Sequence, residues 1–305
     1  VNYVANENYF QGAPKIDRLN LKVVSPAQML AGLQSGEIDL VQPTTGAIPL
    51  EDYEAVMALN NVNAKPATPT TNLCVFFNTQ RVTDVRIRQA LAYGLDRQTI
   101  LEGLVLGYGE IVDAFLCSAS PFYSEELGVT AYDPDKAREL VKAAVADGAS
   151  ADLTWYVDSG DATFVNASAY IAATMQDIGL NITIKTVELP MLMEVAGSGD
   201  FDVLSVEYTL NLLDPYTDMA WLLSEGGWTH YSSDAVADNL LLTQSASKDE
   251  DVRAAYLTVN RDVQENVPMI SCYIVSKLGV VSNRLLNAAP DVFGTFVNVH
   301  EWDVQ

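Results

Sequence analysis

Strand signals and helix signals take turns through the middle of this chain, and that alternation constrains its fold more than any other feature. Residues 132–148, "YDPDKARELVKAAVADG", read as a helix. Asp133 stands at the N-cap and Pro134 at the first helical position; Ala137, Leu140, Val141, Ala144 and Val145 form one apolar stripe, which Gly148 closes. "DLTWYV" then reads as a strand, and residues 162–178 as a helix with Phe164, Ile171, Met175 and Ile178 inward. "NITIKTV" returns as a strand, and a short helix over 190–196 leads to the strand "FDVLSV". Such a sequence of elements implies βαβ units and an α/β lobe with helices on its sheet faces.

The flanks carry further signals. Residues 19–24, "LNLKVV", place Leu19, Leu21 and Val23 on one face of a half-buried strand. A helix follows with Ser25 as N-cap, Pro26 at N1, Gln28 at N3 and Gly36 at its C-terminal end, and "EIDLVQP" reads as a short strand. Asp84 and Asp96 can each cap a helix, the first with Ile87, Ala90, Leu91 and Gly94 on one face. Two more helices are expected from about Asp234 and about Asp249, the second turning Val252, Tyr256, Val259 and Val263 inward. The final thirty residues read as irregular. Two extended segments, "TNLCVFFNT" and "PMISCYIVS", are expected to enter and leave a central lobe, and two such crossings describe a hinge with a cleft between lobes.

Charge narrows the partners. Asp and Glu number 40 against 17 Lys and Arg, a formal net charge of −23. Such a surface repels a phosphate backbone, so nucleic acid is not an expected partner, nor is an anionic bilayer surface. The sequence has no apolar run long enough to span a membrane as a helix. It begins at Val1 without a signal-peptide pattern, as expected of a mature form or a cut fragment. Cys74, Cys117 and Cys272 sit in apolar surroundings without CxxC spacing, and read as core residues rather than a disulfide or zinc framework.

Catalysis needs a constellation that these motifs do not supply. His230 and His300 are the two histidines, and neither lies near a GxSxG elbow. No HExxH, EF-hand loop, Cys/His cluster or GxGxxG is present, so no metal or cofactor is expected. Glu125 with Glu126 reads as a solvated turn, and Asp249–Glu250–Asp251 as a helix N-terminus. What remains is recognition by aromatic and polar groups. The densest such stretch is "FDVLSVEYTLNLLDPYTDMAWLL", a strand running into an Asp-Pro turn, where ligands of α/β lobes tend to sit.

Several segments, in order, carry a resemblance: "NENYFQGAPKIDRL", "LQSGEIDLV", "FFNTQ", "DVRIRQALAYGLDRQTI", "YDPDKARELV", "GDFDVLSV", "YSSDAVADNLL" and "AAYLTVNRDVQENVPMISCY". Together they resemble the extracellular solute-binding proteins of peptide, dipeptide and nickel ABC importers, family 5. "ENYFQG", which looks like the cleavage scar of a recombinant tag, is by this resemblance part of the protein. The resemblance implies a periplasmic-binding-protein-like α/β fold (type II, cluster C). Its two lobes would be joined by a two-strand hinge, with the N-terminal part of one lobe absent. Residues 1–73 with 274–305 would be the remnant of the N/C lobe, and 74–273 the second lobe. It further implies a monomeric receptor, extracellular as a cell-surface lipoprotein or periplasmic, that hands a peptide or other small solute to permease subunits without enzymatic chemistry.

In peptide-binding members an aspartate pairs with the solute's α-ammonium; aligned on "FD" and "DP", Asn211 takes its place and Tyr208 that of a preceding aromatic. Neighbouring Leu210 and Leu212 are apolar, so a slip of one position restores no aspartate. Asparagine makes a neutral contact roughly half as strong as a charge-assisted one, which favours an uncharged solute such as a sugar or a blocked peptide. Tyr208, Thr209, Asn211, Trp228 and Tyr273 are the expected ligand-binding residues. Two other classes of function stand beside this one. A non-transport interaction module would use the cleft to hold a peptide or protein, and a hydrolase would lose turnover with His230→Ala.

Overall fold

Residues 1–43, 48–113, 115–209, 211–289 and 294–305 are described by the computed structural model of the protein. The chain divides into a smaller unit, Val1–Pro69 with Ser276–Gln305, and a larger one, Thr70–Val275.

The smaller unit opens with an antiparallel ribbon of β1 (Asn2–Val4) and β2 (Arg18–Asn20). The segment between them is tied down: Ala5 N donates to Asp17 O, Tyr9 N to Asn6 O and Gly12 N to Tyr9 O. The Tyr9 ring lies 5.3 Å from that of His300, and Lys15 pairs with Asp303 at 3.2 Å. The tag-like stretch is thus woven into this unit. The strand expected over 19–24 stops at Asn20, with Leu21 and Val23 exposed. Period-two patterning buries a face only where a sheet offers one to pack on, and a two-stranded ribbon offers little.

Pro26 opens α1 (Pro26–Ser35), and Gly36 ends it in the left-handed region at φ 73°. The Ser25 hydroxyl does not cap the backbone; it donates to Gln28 Oε1 at 3.0 Å, while Gln28 N donates to Ser25 O. The strand expected over 37–43 amounts to β3 (Leu40–Val41). After α2 (Tyr53–Met57) comes β4 (Val62–Pro66).

The larger unit begins with β5 (Thr71–Phe77), buried along its whole length. Each of the next helices starts on a side-chain cap. Asp84 accepts from Arg86 N before α3 (Val85–Gly94), and Asp96 from Thr99 N before α4 (Arg97–Gly103). After the short β6 (Gly109–Glu110), Asp133 accepts from Lys136 N before α5 (Pro134–Ala146). Then come β7 (Asp152–Asp158), α6 (Ala162–Met175), β8 (Asn181–Val187), α7 (Leu189–Ser198) and β9 (Val203–Thr209). This is the alternation that the sequence announces. Beyond it lie α8 (Tyr216–Leu222), α9 (Asp234–Ser245), α10 (Asp249–Asn266) and β10 (Met269–Val275). The sequence reading had the Asp-Pro turn without α8, whose helix starts directly after Pro215.

The strands form one sheet in the order β6-β10-β5-β9-β7-β8. β7 runs parallel to β8 and β9, and the remaining pairs are antiparallel. On one face Cys74, Phe76, Leu204 and Val206 pack against Leu192 of α7, Met219 and Leu222 of α8, Leu240 of α9, and Tyr256 and Val259 of α10. On the other face the fully buried Trp155 donates from Nε1 to Ser205 Oγ at 2.8 Å.

Two buried cations brace this unit. Arg97 pairs with Asp113, each side chain about 5% exposed or less, and Asp113 Oδ2 also accepts from Thr130 N and Gln264 Nε2. The Arg88 guanidinium donates to the carbonyls of Val82, Thr83, Asn266 and Val267, binding the start of α3 to the end of α10.

Back in the smaller unit, β11 (Leu278–Ser282) runs antiparallel between β3 and β4, and β12 (Leu285–Leu286) pairs with β13 (Asp303–Val304). The final thirty residues therefore hold strands where the sequence reads as irregular. "LGVVS" is short, and both its partners come from the other end of the chain, so no local pattern marks it.

Candidate ligand site at the end of strand β9

Alternation along β9 sends Leu204 and Val206 into the core and carries Tyr208, on the same face, to the edge of that core. The Tyr208 ring meets Phe115 at 5.8 Å, and Phe76 and Trp228 each at 6.4 Å, all edge-on. Trp228 in turn stands edge-to-face with Phe76 at 5.4 Å and Trp221 at 5.1 Å. Edge-to-face pairs bring the positive ring edge against a negative ring face, and such pairs contribute roughly 0.5–1.5 kcal/mol beyond burial. Trp221 remains 43% exposed, so this cluster grades from core into surface.

The Tyr208 hydroxyl donates to Asp218 Oδ1 at 2.8 Å. Burial first, and then the hydrogen bond and charge of Asp218, hold the phenol well above its ordinary pKa, so it stays a donor. Thr209 ends β9 and is exposed. Asn211 is exposed as well, and its Oδ1 accepts from Asp214 N at 3.2 Å, turning the chain toward Pro215 and α8. Leu212 is buried and its carbonyl accepts from Ser120 Oγ; Leu210 lies outside the described residues.

A tight loop returns from α8 to Trp228. Ser224 Oγ donates to Trp221 O at 2.7 Å, Gly227 N to Ser224 O, and Thr229 Oγ1 to Leu222 O. Gly227 has no room for a side chain, because a Cβ there would sit 1.9 Å from the Trp221 carbonyl oxygen. Gly227→Ala must displace backbone, at a cost of about 1–3 kcal/mol. It is expected to separate Trp221 from Trp228, read as loss of their near-ultraviolet circular dichroism; an unchanged spectrum and melting temperature would contradict this.

Tyr208 and Trp228 thus meet at the end of β9, with Asn211 in the turn beyond it, whereas Thr209 and Tyr273 do not join their cluster. Asn72 pairs with Tyr208 and Ile274, and the adjoining Leu73 with Glu207 and Tyr273. Neighbouring rungs face opposite ways, which sends Tyr273 to the other side of the sheet, where it is 4% exposed, and turns Thr209, paired with Thr71, to that side as well. Burial, with Cys272, Asp161 and Glu207 nearby, raises its phenol pKa. Asp218 and Phe115 escaped the sequence reading. A carboxylate three residues ahead of Trp221, inside a helix nobody expected, was the only available cue for Asp218.

The histidines have other surroundings. His230 adopts φ 47° and its Nδ1 lies 2.9 Å from Glu225 O, while His300 belongs to the smaller unit. Among the described residues no group of three or more His, Cys, Asp or Glu could hold a metal ion, and no helix is long and apolar enough to cross a membrane.

Comparison with known proteins identifies the fold and the family. The oligopeptide-binding protein AppA of Bacillus subtilis is 23% identical over 290 residues, 88% of this chain and 52% of that protein. The nickel-binding periplasmic protein of Escherichia coli is 23% identical over 145 residues, covering 47% of this chain and 28% of its own. The solved structure of B. subtilis AppA in complex with a nonapeptide superposes with a TM-score of 0.84 at 20% identity, over 100% of this chain and 64% of AppA. The fold is therefore that of periplasmic binding proteins, and the chain spans about half the length of the oligopeptide-binding relative it matches. The profile of the bacterial extracellular solute-binding proteins, family 5 (middle), matches residues 1–230, and the chain belongs to that family.

Proposed function

We propose that this protein is the substrate-binding component of an ABC importer, capturing a peptide or related small solute and delivering it to permease subunits. The observation that carries this reading is the graded aromatic cluster at the end of β9, with exposed polar groups beside it, in a chain of a solute-binding family. Aromatic walls with a few placed polar groups suit reversible capture of a small molecule. Tyr208, Trp228, Thr209 and Asn211 are the residues proposed to touch the solute. Thr209 and Tyr273 would act from the opposite face of the sheet to Tyr208. The protein works by binding without covalent chemistry, as a monomer, outside the cell, either lipid-anchored or free in a periplasm.

Native mass spectrometry of gently purified protein tests this. A ladder of adducts spaced by amino-acid residue masses is expected of a peptide receptor, and a single discrete adduct of a receptor for another solute. The absence of any adduct, together with no thermal stabilisation by a library of short peptides, would overturn the reading.

A further inference from the structure

The smaller unit has a cavity of its own. It measures about 580 Å³ and is walled by Gln11, from the tag-like stretch, by Lys15, and by Asn287, Asn298, His300 and Glu301 from the other end of the chain. Small-ligand pockets span about 300–1,000 Å³, so the size is right, but their walls are mostly apolar and these are polar. Two wall residues are fixed through one half of an amide and leave the other half unpaired. Gln11 Oε1 accepts from the Tyr9 hydroxyl at 3.0 Å, and among the described residues its Nε2 has no partner. Asn287, at φ 62°, donates from Nδ2 to Glu301 O at 3.0 Å, and among the described residues its Oδ1 accepts nothing. Asn298 is framework: its Oδ1 accepts from the indole of buried Trp302 at 3.0 Å, and its Nδ2 donates to Asn287 O at 2.8 Å. The His300 ring lies against that of Tyr9; its Nδ1 is buried and, among the described residues, has no hydrogen-bond partner. A buried ring nitrogen without a partner is costly, and a ligand that supplies one recovers the cost.

We propose that this cavity is a second binding site, and that its ligand is an uncharged polyhydroxylated molecule, a sugar or a cyclitol. A hydroxyl donates and accepts at once, which is what Gln11 Nε2, Asn287 Oδ1 and His300 Nδ1 together ask for. Charge points the same way, because Lys15 and Glu301 put both signs into the wall. Lys15 is already paired with Asp303 at 3.2 Å, and Glu301 stands 3.9 Å from His300 Nε2. A ligand with a net charge of either sign therefore meets a like charge, which costs affinity. The site is independent of the solute-binding reading: all of its residues belong to the smaller unit, whereas the β9 cluster belongs wholly to the larger one.

The probes are D-glucose, trehalose and myo-inositol, with glycine and sodium phosphate as charged controls, each titrated into nitrogen-15-labelled protein at constant ionic strength. The signal to follow is the indole N–H of Trp302, which is bonded to the wall residue Asn298 and is one of four such signals, assigned with Trp302→Phe. At least one of the three polyols is expected to shift it saturably while the Trp221 and Trp228 signals stay in place. Gln11→Glu keeps an acceptor for the Tyr9 hydroxyl and loses the free donor, and is expected to weaken that binding about fivefold. Gln11 is exposed, so the substitution leaves the fold intact. No saturable shift with any of the three, equal binding by Gln11→Glu, or glycine or phosphate binding as tightly would each overturn the proposal. Movement of the Trp221 and Trp228 signals with the same midpoint would also overturn it, because the polyol would then be a solute of the β9 cluster, and the receptor reading would stand. That reading falls separately, on the absence of any adduct or peptide stabilisation.

Discussion

Asp113→Ala is expected to destabilise the larger unit by about 3–5 kcal/mol, measured by denaturant unfolding. The magnitude follows from what stays behind. Arg97 is 4% exposed in its side chain, and among the described residues its Nε has no hydrogen-bond partner, so the guanidinium has little other relief once the carboxylate is gone. Thr130 N and Gln264 Nε2 lose their acceptor in the same step, which loosens the loop before α5 from α10. A loss below about 1 kcal/mol would mean that water or repacking replaces the carboxylate.

The same residue sets an acid limb. Burial alone raises the Asp113 carboxyl pKa, but the Arg97 charge and the hydrogen bonds from Thr130, Gln264 and Arg97 outweigh it, leaving a net downward shift. A carboxylate with a folded pKa below its unfolded value of about 3.9 contributes stability that is present above that pH. The contribution is lost as pH falls through the folded value. Stability of the parent protein should therefore drop below about pH 4 more steeply than that of Asp113→Asn, which has no such proton to take up. Parallel acid limbs would exclude Asp113 as their source.

Arg88→Met is expected to cost about 3 kcal/mol or more. The methionine replaces much of the aliphatic stem, so the loss isolates the guanidinium. That group satisfies carbonyls at both ends of its reach, Val82 and Thr83 before α3, and Asn266 and Val267 at the end of α10. Val267 adopts φ 46°, which a β-branched residue takes only under constraint from its surroundings. Hydrogen exchange should show the 266–268 turn opening earlier in the variant, and unchanged protection there would argue that the turn holds itself.

What the sequence made legible divides along physical lines. Aspartates 84, 96 and 133 cap their helices as read, because a cap is a contact over two or three residues and leaves a local trace. The βαβ core was legible for the same reason, each element announcing its own period. Failures came where a partner is distant. Leu21 and Val23 alternate correctly but have no sheet to cover, and β11 has a weak pattern rescued by β3 and β4. At the candidate site, Tyr208 stood out as an aromatic at a strand end. The position of Tyr273 depends on the irregularity between Ser271 and Tyr273 and on a pairing register, neither of which composition reveals. Asp218 depends on α8, a helix whose start is disguised as a turn.

The placement of the three thiols has a practical use. Cys74, Cys117 and Cys272 are all buried, and all belong to the larger unit, while the smaller unit contains none. Burial drives the Cys74 thiol well above its ordinary pKa, Cys272 up to about 12 and Cys117 up to about 11, so each is a protonated, unreactive thiol at neutral pH. Alkylation must wait for the surrounding structure to open, and its rate at fixed reagent then counts openings. The native cysteines are thus built-in clocks for the larger unit alone, silent to every motion confined to the smaller one.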